Sequence, residues 1–186
     1  MLLEVGDYSC QHKDSFISIA SLERIRMRIL LVRPNSKIVK IPPPLGLMYL
    51  ASFIRQKGFS DVKIIDARCL RLNNERLKQE IREFDPQLVG IASLHFESPE
   101  AHSIAKISKT LNIKCAVVLG GPYTSSDYFR ALEDESVDYA VIGEGEESFS
   151  ELIRCIKEGR GLDNLSGVAY RNNDRGSEKN RQTFWR

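Results

Sequence analysis

Five short apolar segments alternate with segments of helical period in this chain, and the alternation restricts the fold more than any other feature. The apolar segments are Arg28–Arg33, Asp61–Asp66, Leu88–Ser93, Lys114–Leu119 and Val137–Ile142. Short apolar runs bounded by turn residues are typical of buried strands, and strands joined through helices pair in parallel by right-handed crossovers. The pattern predicts an α/β fold, doubly wound and Rossmann-like or flavodoxin-like, with a five-stranded parallel sheet and helices on both faces.

Residues that end or begin helices mark the boundaries between these segments. Leu47, Leu50, Ala51 and Ile54 recur at helical spacing and predict the first helix. Gly58 follows them, and glycine commonly ends a helix in left-handed geometry. Asp85-Pro86 stops the second helix, because the residue before a proline disfavours helical geometry. Ser98 is predicted to cap the third helix, with Pro99 at its first helical position.

The domain is expected to occupy residues 27–160. Residues 1–26 are interpreted as an N-terminal extension, with a short helix predicted over 17–25. Residues 161–186 are interpreted as a truncated connector and a C-terminal tail. Within them, Leu165–Tyr170 is predicted to add a strand, and the polar stretch Asn172–Arg186 is predicted to fray.

The composition argues against several classes of partner. The 27 basic and 25 acidic residues are interspersed, so no basic stripe indicates nucleic-acid binding. The four cysteines lie at least 40 residues apart and cannot form a CxxC metal knuckle. No apolar run has membrane-spanning length, and the N-terminus lacks a basic region followed by an apolar one. The sequence predicts a cytoplasmic protein without membrane or nucleic-acid partners.

Two of the predicted strands end abruptly in glycine, in the runs Val118–Tyr123 and Val141–Glu146. The carboxyl ends of parallel strands meet at one edge of the sheet, where doubly wound domains bind ligands. Glycine has no side chain, so a flat or phosphate-bearing ligand can approach the backbone closely. The glycine endings therefore predict a ligand site at this edge.

Nucleotide binding is the alternative hypothesis for this edge. A dinucleotide site would place a GxGxxG loop between the first strand and first helix, but the loop from Pro34 to Gly46 contains one glycine and four prolines. Asp66 does end the second strand, where a ribose-binding acid would lie. A nucleotide- or sugar-nucleotide-dependent transferase or oxidoreductase on a Rossmann-like fold thus stays open. A phosphoacceptor receiver domain is disfavoured, because the clustered acids that it needs are missing.

Six segments, in the same order along the chain, carry a family resemblance over residues 28–171. They are Pro42–Ala51, Ile64–Ala67, Asp85–Ser93, Val118–Pro122, Val137–Glu146 and Gly167–Arg171. Together they resemble the cobalamin-binding domain that precedes the catalytic barrel in cobalamin-dependent radical S-adenosylmethionine (SAM) enzymes. The members of that family are radical SAM methyltransferases and related enzymes.

The resemblance implies a cobalamin site at the glycine-rich edge. Gly120 and Gly121 would line the slot for the nucleotide tail, and the hydroxyl of Ser93 would face that slot. Gly143, Glu144 and Gly145 would form a neighbouring wall. The loop Pro43, Pro44, Leu45 and Gly46 would cover the lower face of the corrin ring. The remaining expected cofactor contacts are Asn35, Leu94, His95 and Tyr123.

The cobalt is expected to lack a histidine lower ligand from the protein. The chain has no DxHxxG motif, which supplies that ligand in the cobalamin modules of methyltransferases and mutases. His95 follows the third strand and could ligate cobalt, make a polar contact or be an ordinary loop histidine. Tyr123 could stack on the cofactor or pack on a helix. His102 and His12 are predicted to face solvent.

Glu144 and Glu146 are two residues apart after a strand, so we interpret them as one cofactor contact and one charge at a helix N-terminus. The chain has no CxxxCxxC motif, so the iron–sulfur cluster and SAM would belong to a partner domain, missing through truncation or present on another chain. Residues 165–171 resemble the start of the connector to that domain, which favours truncation. This chain is then expected to bind cobalamin without catalysing a reaction alone. A partial domain without ligand is a third hypothesis.

Overall fold

A single mixed sheet runs through the computed structural model, which describes residues 26–36, 42–162 and 165–171, and the backbone of 181–182. The strands in this described part are β1 (Ile29–Arg33), β2 (Val62–Asp66), β3 (Leu88–Ala92), β4 (Ala116–Gly120), β5 (Tyr139–Val141), β6 (Val168–Tyr170) and β7 (Arg181–Gln182). Their order in the sheet is β2-β1-β3-β4-β5-β6-β7. The helix predicted over residues 17–25 lies outside the described residues.

The first five strands pair in parallel, which confirms the predicted five-stranded parallel sheet. Two antiparallel strands extend it beyond β5. β6 lies within the predicted strand Leu165–Tyr170, but β7 falls in the stretch predicted to fray. That prediction is wrong at residues 181–182, because the exposed edge of β6 offers backbone groups with which a polar strand can pair.

The helices cover both faces of the sheet, as predicted. They are α1 (Leu45–Gln56), α2 (Asn74–Phe84), α3 (Ser98–Leu111), α4 (Pro122–Ser126), α5 (Tyr128–Glu133) and α6 (Glu146–Glu158). α1 and α6 pack on one face, whereas α2, α3 and α5 pack on the other. No helix in the described part of the chain has the length and apolarity that a membrane-spanning segment needs.

The strand sequences are apolar without alternation because both faces of the sheet are buried. In β1, Leu30 and Val32 pack with α2 and α3, whereas Ile29 and Leu31 pack with α1 and α6. All four side chains are fully buried. Successive side chains of a strand point to opposite faces, so a strand covered on both sides must be apolar at every position.

Two helix boundaries show how far local signals reach. Asp85 ends α2 as predicted, in left-handed geometry with φ of 48°. Ser98 is not the cap of α3, however, because it is the first helical residue and makes no capping bond with its side chain. A 3-10 turn, His95–Glu97, leads directly into the helix, and the Ser98 amide donates to the carbonyl of His95. The turn thus replaces the side-chain cap.

The strand order determines where a crevice opens. From β1 the chain passes to β2 on one side and then to β3 on the other side of β1. After β2 the next three connections, through α2, α3 and α5, run on the other face, so α1 and α6 share a face and leave a gap between them at the carboxyl ends of β3 and β4. The loops after β1, β3, β4 and β5 gather at this edge.

A buried ion pair connects two of the loops that follow the carboxyl ends of the strands. Arg68 and Glu97 form an ion pair with side chains only 7% and 3% exposed. The second carboxylate oxygen of Glu97 accepts a bond from the Leu94 amide at 3.2 Å. Burial and the nearby charge of Arg33 lower the pKa of Arg68, against the opposing effect of Asp66. The ion pair therefore links the loop after β2 to the 3-10 turn before α3.

Glu97→Ala is expected to lower the free energy of unfolding by about 3–5 kcal/mol, because Arg68 would remain buried without a counter-charge. Urea denaturation measures the loss. Glu80→Ala is the matched control, since Glu80 and its partner Lys63 are 40% and 37% exposed and such pairs contribute under about 1 kcal/mol. Equal losses in the two variants would contradict a structural role for the buried pair.

Candidate functional site

A crevice of about 520 Å³ opens between α1 and α6, above the carboxyl-terminal halves of β1, β3, β4 and β5. We call it the α1–α6 crevice. Its floor is the sheet, its walls are the two helices, and its mouth is the loop after β5. The lining residues used below are Leu31, Gly46, Leu47, Leu50, Gly90, Ile91, Val118, Gly120, Gly121, Ser125, Gly143, Glu144, Gly145, Glu146 and Phe149.

Gly120 leaves the floor of the crevice bare. Among the described residues, a Cβ atom built on Gly120 would meet the Cβ of Val141, at 3.9 Å, and no other atom within 4 Å. No neighbour in the described part of the chain requires glycine there for steric reasons. The bare position instead allows a flat group of a ligand to contact the backbone at the end of β4.

Gly121 has a different task from its neighbour, although both line the crevice. Its φ is +94°, and a Cβ atom there would lie 2.9 Å from the carbonyl oxygen of Ser93. That carbonyl accepts a bond from the Tyr123 amide, and the Ser93 amide donates to the carbonyl of Gly120. Gly121 therefore permits close packing of two loops.

Sequence reasoning missed Gly90, which lies in the middle of β3. A Cβ atom on Gly90 would lie 2.9 Å from Cδ2 of Leu31 and 3.1 Å from Cζ of Phe149. The missing side chain gives the Phe149 ring its place against the sheet. A glycine inside an otherwise apolar strand often marks a close approach, and this signal could have identified it. Leu50 and Phe149, which the sequence does not mark as site residues, line the crevice as well.

The loop after β5 brings the predicted wall to the mouth of the crevice. Gly143, Glu144 and Gly145 all line it. The Gly143 amide donates to the Ser125 hydroxyl at 2.9 Å, which ties the loop to α4. Glu144 is exposed, whereas Glu146 is the first residue of α6, where the helix dipole favours a carboxylate.

The proline-rich segment leads directly into α1. Leu45 and Gly46 are helical rather than part of a loop, and Pro43 and Pro44 precede them outside the crevice. Arg33 donates to the carbonyl of Pro42 at 2.7 Å and so fixes the start of this segment.

An apolar patch continues from the crevice mouth along α1. It consists of Leu45, Met48 and Tyr49, whose exposed fractions are 69%, 49% and 67%. Gly46 and Glu146 border both the patch and the crevice. Three large apolar side chains exposed together beside a crevice are typical of a binding surface rather than of ordinary solvent-facing helix.

Four further expected contacts, Asn35, Ser93, Leu94 and His95, also lie outside the crevice. Ser93 is buried and donates its hydroxyl to the carbonyl of Leu94 at 3.0 Å. The Asn35 amide donates to the carbonyl of Leu72, in the loop after β2. Leu94 is exposed outside the crevice, and His95 contacts the Ser126 hydroxyl at 2.7 Å. None of these side chains lines the crevice.

Tyr123 packs in the core of the opposite face, on the α3 side. Its hydroxyl lies 3.2 Å from Nε2 of His102, whose Nδ1 lies 2.9 Å from the Asp134 carboxylate. The prediction that His102 faces solvent is therefore wrong, because α4 and α5 cover that side of α3. Burial raises the pKa of Tyr123, which keeps its hydroxyl neutral. Burial also opposes the charge of Asp134, but bonds from Ser136 and the charges of His102 and Lys106 leave its pKa lowered.

Asp66 has no free oxygen for a ribose. The Arg33 guanidinium donates to both of its carboxylate oxygens, one of them at 2.8 Å. One oxygen also accepts a bond from the Cys69 amide at 3.0 Å. In the part of the chain that the structure describes, no three His, Cys, Asp or Glu side chains come together as a metal site would need.

The family model of the B12 binding domain matches residues 35–153. The chain belongs to the B12-binding domain family. The resemblance seen in the sequence is thereby confirmed. A relative from Pyrococcus horikoshii, named as an uncharacterized methyltransferase, is 39% identical over 79% of this chain and 33% of its own length. An anaerobic magnesium-protoporphyrin IX monomethyl ester cyclase of Rubrivivax gelatinosus is 28% identical over 77% of this chain and 28% of its own length.

Solved structures resemble this B12-binding domain over most of its length. The radical SAM methyltransferase TsrM from Kitasatospora setae, with tryptophan substrate and a SAM analogue bound, matches with a TM-score of 0.72 and 26% identity, over 85% of this chain and 30% of that chain. The cobalamin-dependent radical SAM enzyme OxsB matches with a TM-score of 0.72 and 18% identity, over 86% of this chain and 22% of that chain, which shows the shared fold. The chain spans about a third or less of the length of these relatives.

Substitution by alanine is expected to change the free energy of unfolding differently at Gly120 and at Gly121. Gly121→Ala is expected to lower the free energy of unfolding by about 1–3 kcal/mol, because alanine is strained at this positive φ and would strike the Ser93 carbonyl. Gly120→Ala is the matched control, with an expected change of under about 1 kcal/mol. Urea denaturation of both variants measures the difference. Losses of equal size would contradict the distinct roles of the two glycines.

Proposed function

We propose that this B12-binding domain holds cobalamin with the nucleotide tail in the α1–α6 crevice and the corrin ring beside the apolar patch on α1. The observation that carries the proposal is the bare backbone at Gly120, on the floor of a crevice of about 520 Å³. This volume lies within the range of ordinary ligand sites, roughly 300–1,000 Å³.

The side chains around Gly120 suit a flat heteroaromatic base. Leu47 and Leu50 of α1 and Phe149 of α6 line the walls. They would contact the faces and edges of a base and exclude water from it. Burial of apolar surface contributes roughly 25 cal/mol per Å², so this part of the site can supply most of the affinity without charged groups.

The mouth of the crevice would hold the polar parts of the cofactor. The loop Gly143–Glu144–Gly145 and the Ser125 hydroxyl lie where the tail would leave the crevice. Leu45, Met48 and Tyr49 would cover part of the corrin ring, and Pro43 and Pro44 stiffen the entry to α1 beside them. We leave Asn35, Ser93, Leu94, His95 and Tyr123 out of the proposed site.

The proposed site provides no histidine for the lower face of the cobalt. His95 is engaged by Ser126, and His102 is engaged by Asp134 and Tyr123. These are the imidazoles of the described residues, and neither lines the crevice. The proposal therefore keeps the expectation of a cofactor without a protein histidine ligand.

When bound, cobalamin supplies a cobalt centre that can carry a methyl group. We propose that the domain holds this centre for methyl transfer or radical chemistry carried out by a radical SAM domain, in the same polypeptide or in another. Relatives named as methyltransferases and the radical SAM enzyme TsrM support this proposal. The iron–sulfur cluster and SAM would be held by that domain.

Gly120→Leu is expected to weaken cobalamin binding at least about 10-fold while the fold persists, because the leucine side chain would occupy the bare floor of the crevice. Equilibrium titration with hydroxocobalamin, followed by its visible spectrum, measures the affinity. Lys114→Leu is the matched control, since Lys114 is exposed at the opposite edge of the sheet, before β4. Far-UV circular dichroism establishes that both variants are folded.

Two results would contradict the proposal. The first is wild-type protein that retains no cobalamin at tens of micromolar. The second is a folded Gly120→Leu variant with unchanged affinity. A rise in melting temperature with NAD or a nucleotide sugar, and none with cobalamin, would instead favour the nucleotide-dependent alternative.

A further inference from the structure

The α1–α6 crevice is apolar below its mouth. Leu31, Leu47, Leu50, Val118 and Phe149 line its depth. The polar side chains that line it are Ser125, Glu144 and Glu146, and they lie at the mouth, where Ser125 and Glu144 are exposed. A ligand group that enters the crevice fully would thus contact none of its polar side chains.

Backbone groups of the crevice floor, at Gly90 and Gly120, and of the mouth, at Gly143, are also engaged. Gly90 pairs with Leu31 on one side and Val118 on the other, within the parallel ladder. The carbonyl of Gly120 accepts a bond from the Ser93 amide, and the amide of Gly143 donates to Ser125. Among the described residues, the buried side-chain polar atoms without a hydrogen bond belong to Arg68, Glu97, Thr124 and Arg154. Arg68 and Glu97 form an ion pair with each other and Arg154 forms one with Glu151, and none of the four residues lines the crevice.

We infer that this crevice selects among corrinoids by the polarity of the lower base, accepting a benzimidazole and disfavouring adenine. The inference rests on the proposed function and names the ligand class of the same site. The outer edge of dimethylbenzimidazole carries two methyl groups, which need no hydrogen-bond partner. Adenine has nearly the same shape but presents an amino group and ring nitrogens. Buried against Val118 and Phe149, these polar atoms would lose their bonds to water without replacement.

The size of the effect follows from the cost of unpaired polar atoms. An apolar pocket rejects a near-isosteric ligand that adds polar groups by roughly 10- to 100-fold. Adenine is the weaker ligand of cobalt in the free corrinoid. A base that enters the crevice must first leave the cobalt, and this release costs less for adenine. The release step therefore favours pseudocobalamin and cannot produce the expected preference for cobalamin.

The test compares three corrinoids on the wild-type chain by equilibrium titration: cobalamin, pseudocobalamin with adenine as lower base, and cobinamide, which lacks the nucleotide. Cobalamin is expected to bind about 10- to 100-fold more tightly than pseudocobalamin. Cobinamide is expected to bind more weakly than cobalamin as well. Pseudocobalamin that binds as tightly as cobalamin would overturn the inference while leaving the proposed function intact.

The Gly120→Leu variant locates the selectivity. In this variant the affinity for cobalamin is expected to fall to that for cobinamide, whereas the affinity for cobinamide is expected to stay unchanged. Lys114→Leu is expected to preserve the affinities for all three corrinoids. If Gly120→Leu weakened the three corrinoids equally, the base would lie outside the crevice and the inference would fall. Absence of binding by any corrinoid would overturn the proposed function and the inference together.

Discussion

The bare backbone at the end of β4 is the constraint on which the proposed site depends. A crevice above a sheet is useful to a flat ligand only if no side chain rises from its floor, and at Gly120 none does. The two helices that wall the crevice pack on the sheet in one buried core, to which Leu47 and Phe149 contribute. The chain therefore builds a slot by omitting side chains at a few positions of an otherwise buried face.

Two other glycines of the crevice, Gly121 and Gly90, are required by close packing rather than by a ligand. Gly121 lets the loop after β4 meet the backbone of Ser93, and Gly90 gives the Phe149 ring its place on the sheet. Both interactions shape the crevice, although neither glycine leaves empty space for a ligand. On the opposite face, the hydroxyl of Tyr123 on α4 lies within hydrogen-bond distance of the His102 ring on α3.

Much of the fold could be predicted from the sequence because its signals are local. Apolar runs such as Leu88–Ala92 and the stop at Asp85 follow from short stretches of chain, and alternation then dictates a parallel sheet. The part of the site at strand ends was predictable for the same reason, since Gly120, Gly121 and the Gly143–Gly145 loop must reach the same edge. The resemblance to a cobalamin-binding domain used that same set of positions.

The remaining features depend on contacts between distant segments, which no local pattern encodes. The face of α3 that carries His102 is covered by α4 and α5, so its exposure could not be read from α3 alone. Asn35 turns toward the loop after β2, and Asp66 is neutralised by Arg33 rather than left for a ribose. The direction of each of these side chains was decided by a partner 30 or more residues away in the chain.

A crystal structure of the protein with hydroxocobalamin tests the central claim most directly. The account predicts the nucleotide base between α1 and α6, in contact with the backbone of Gly120 and the ring of Phe149. A corrinoid bound elsewhere on the domain, with the crevice empty or closed by its own side chains, would contradict it.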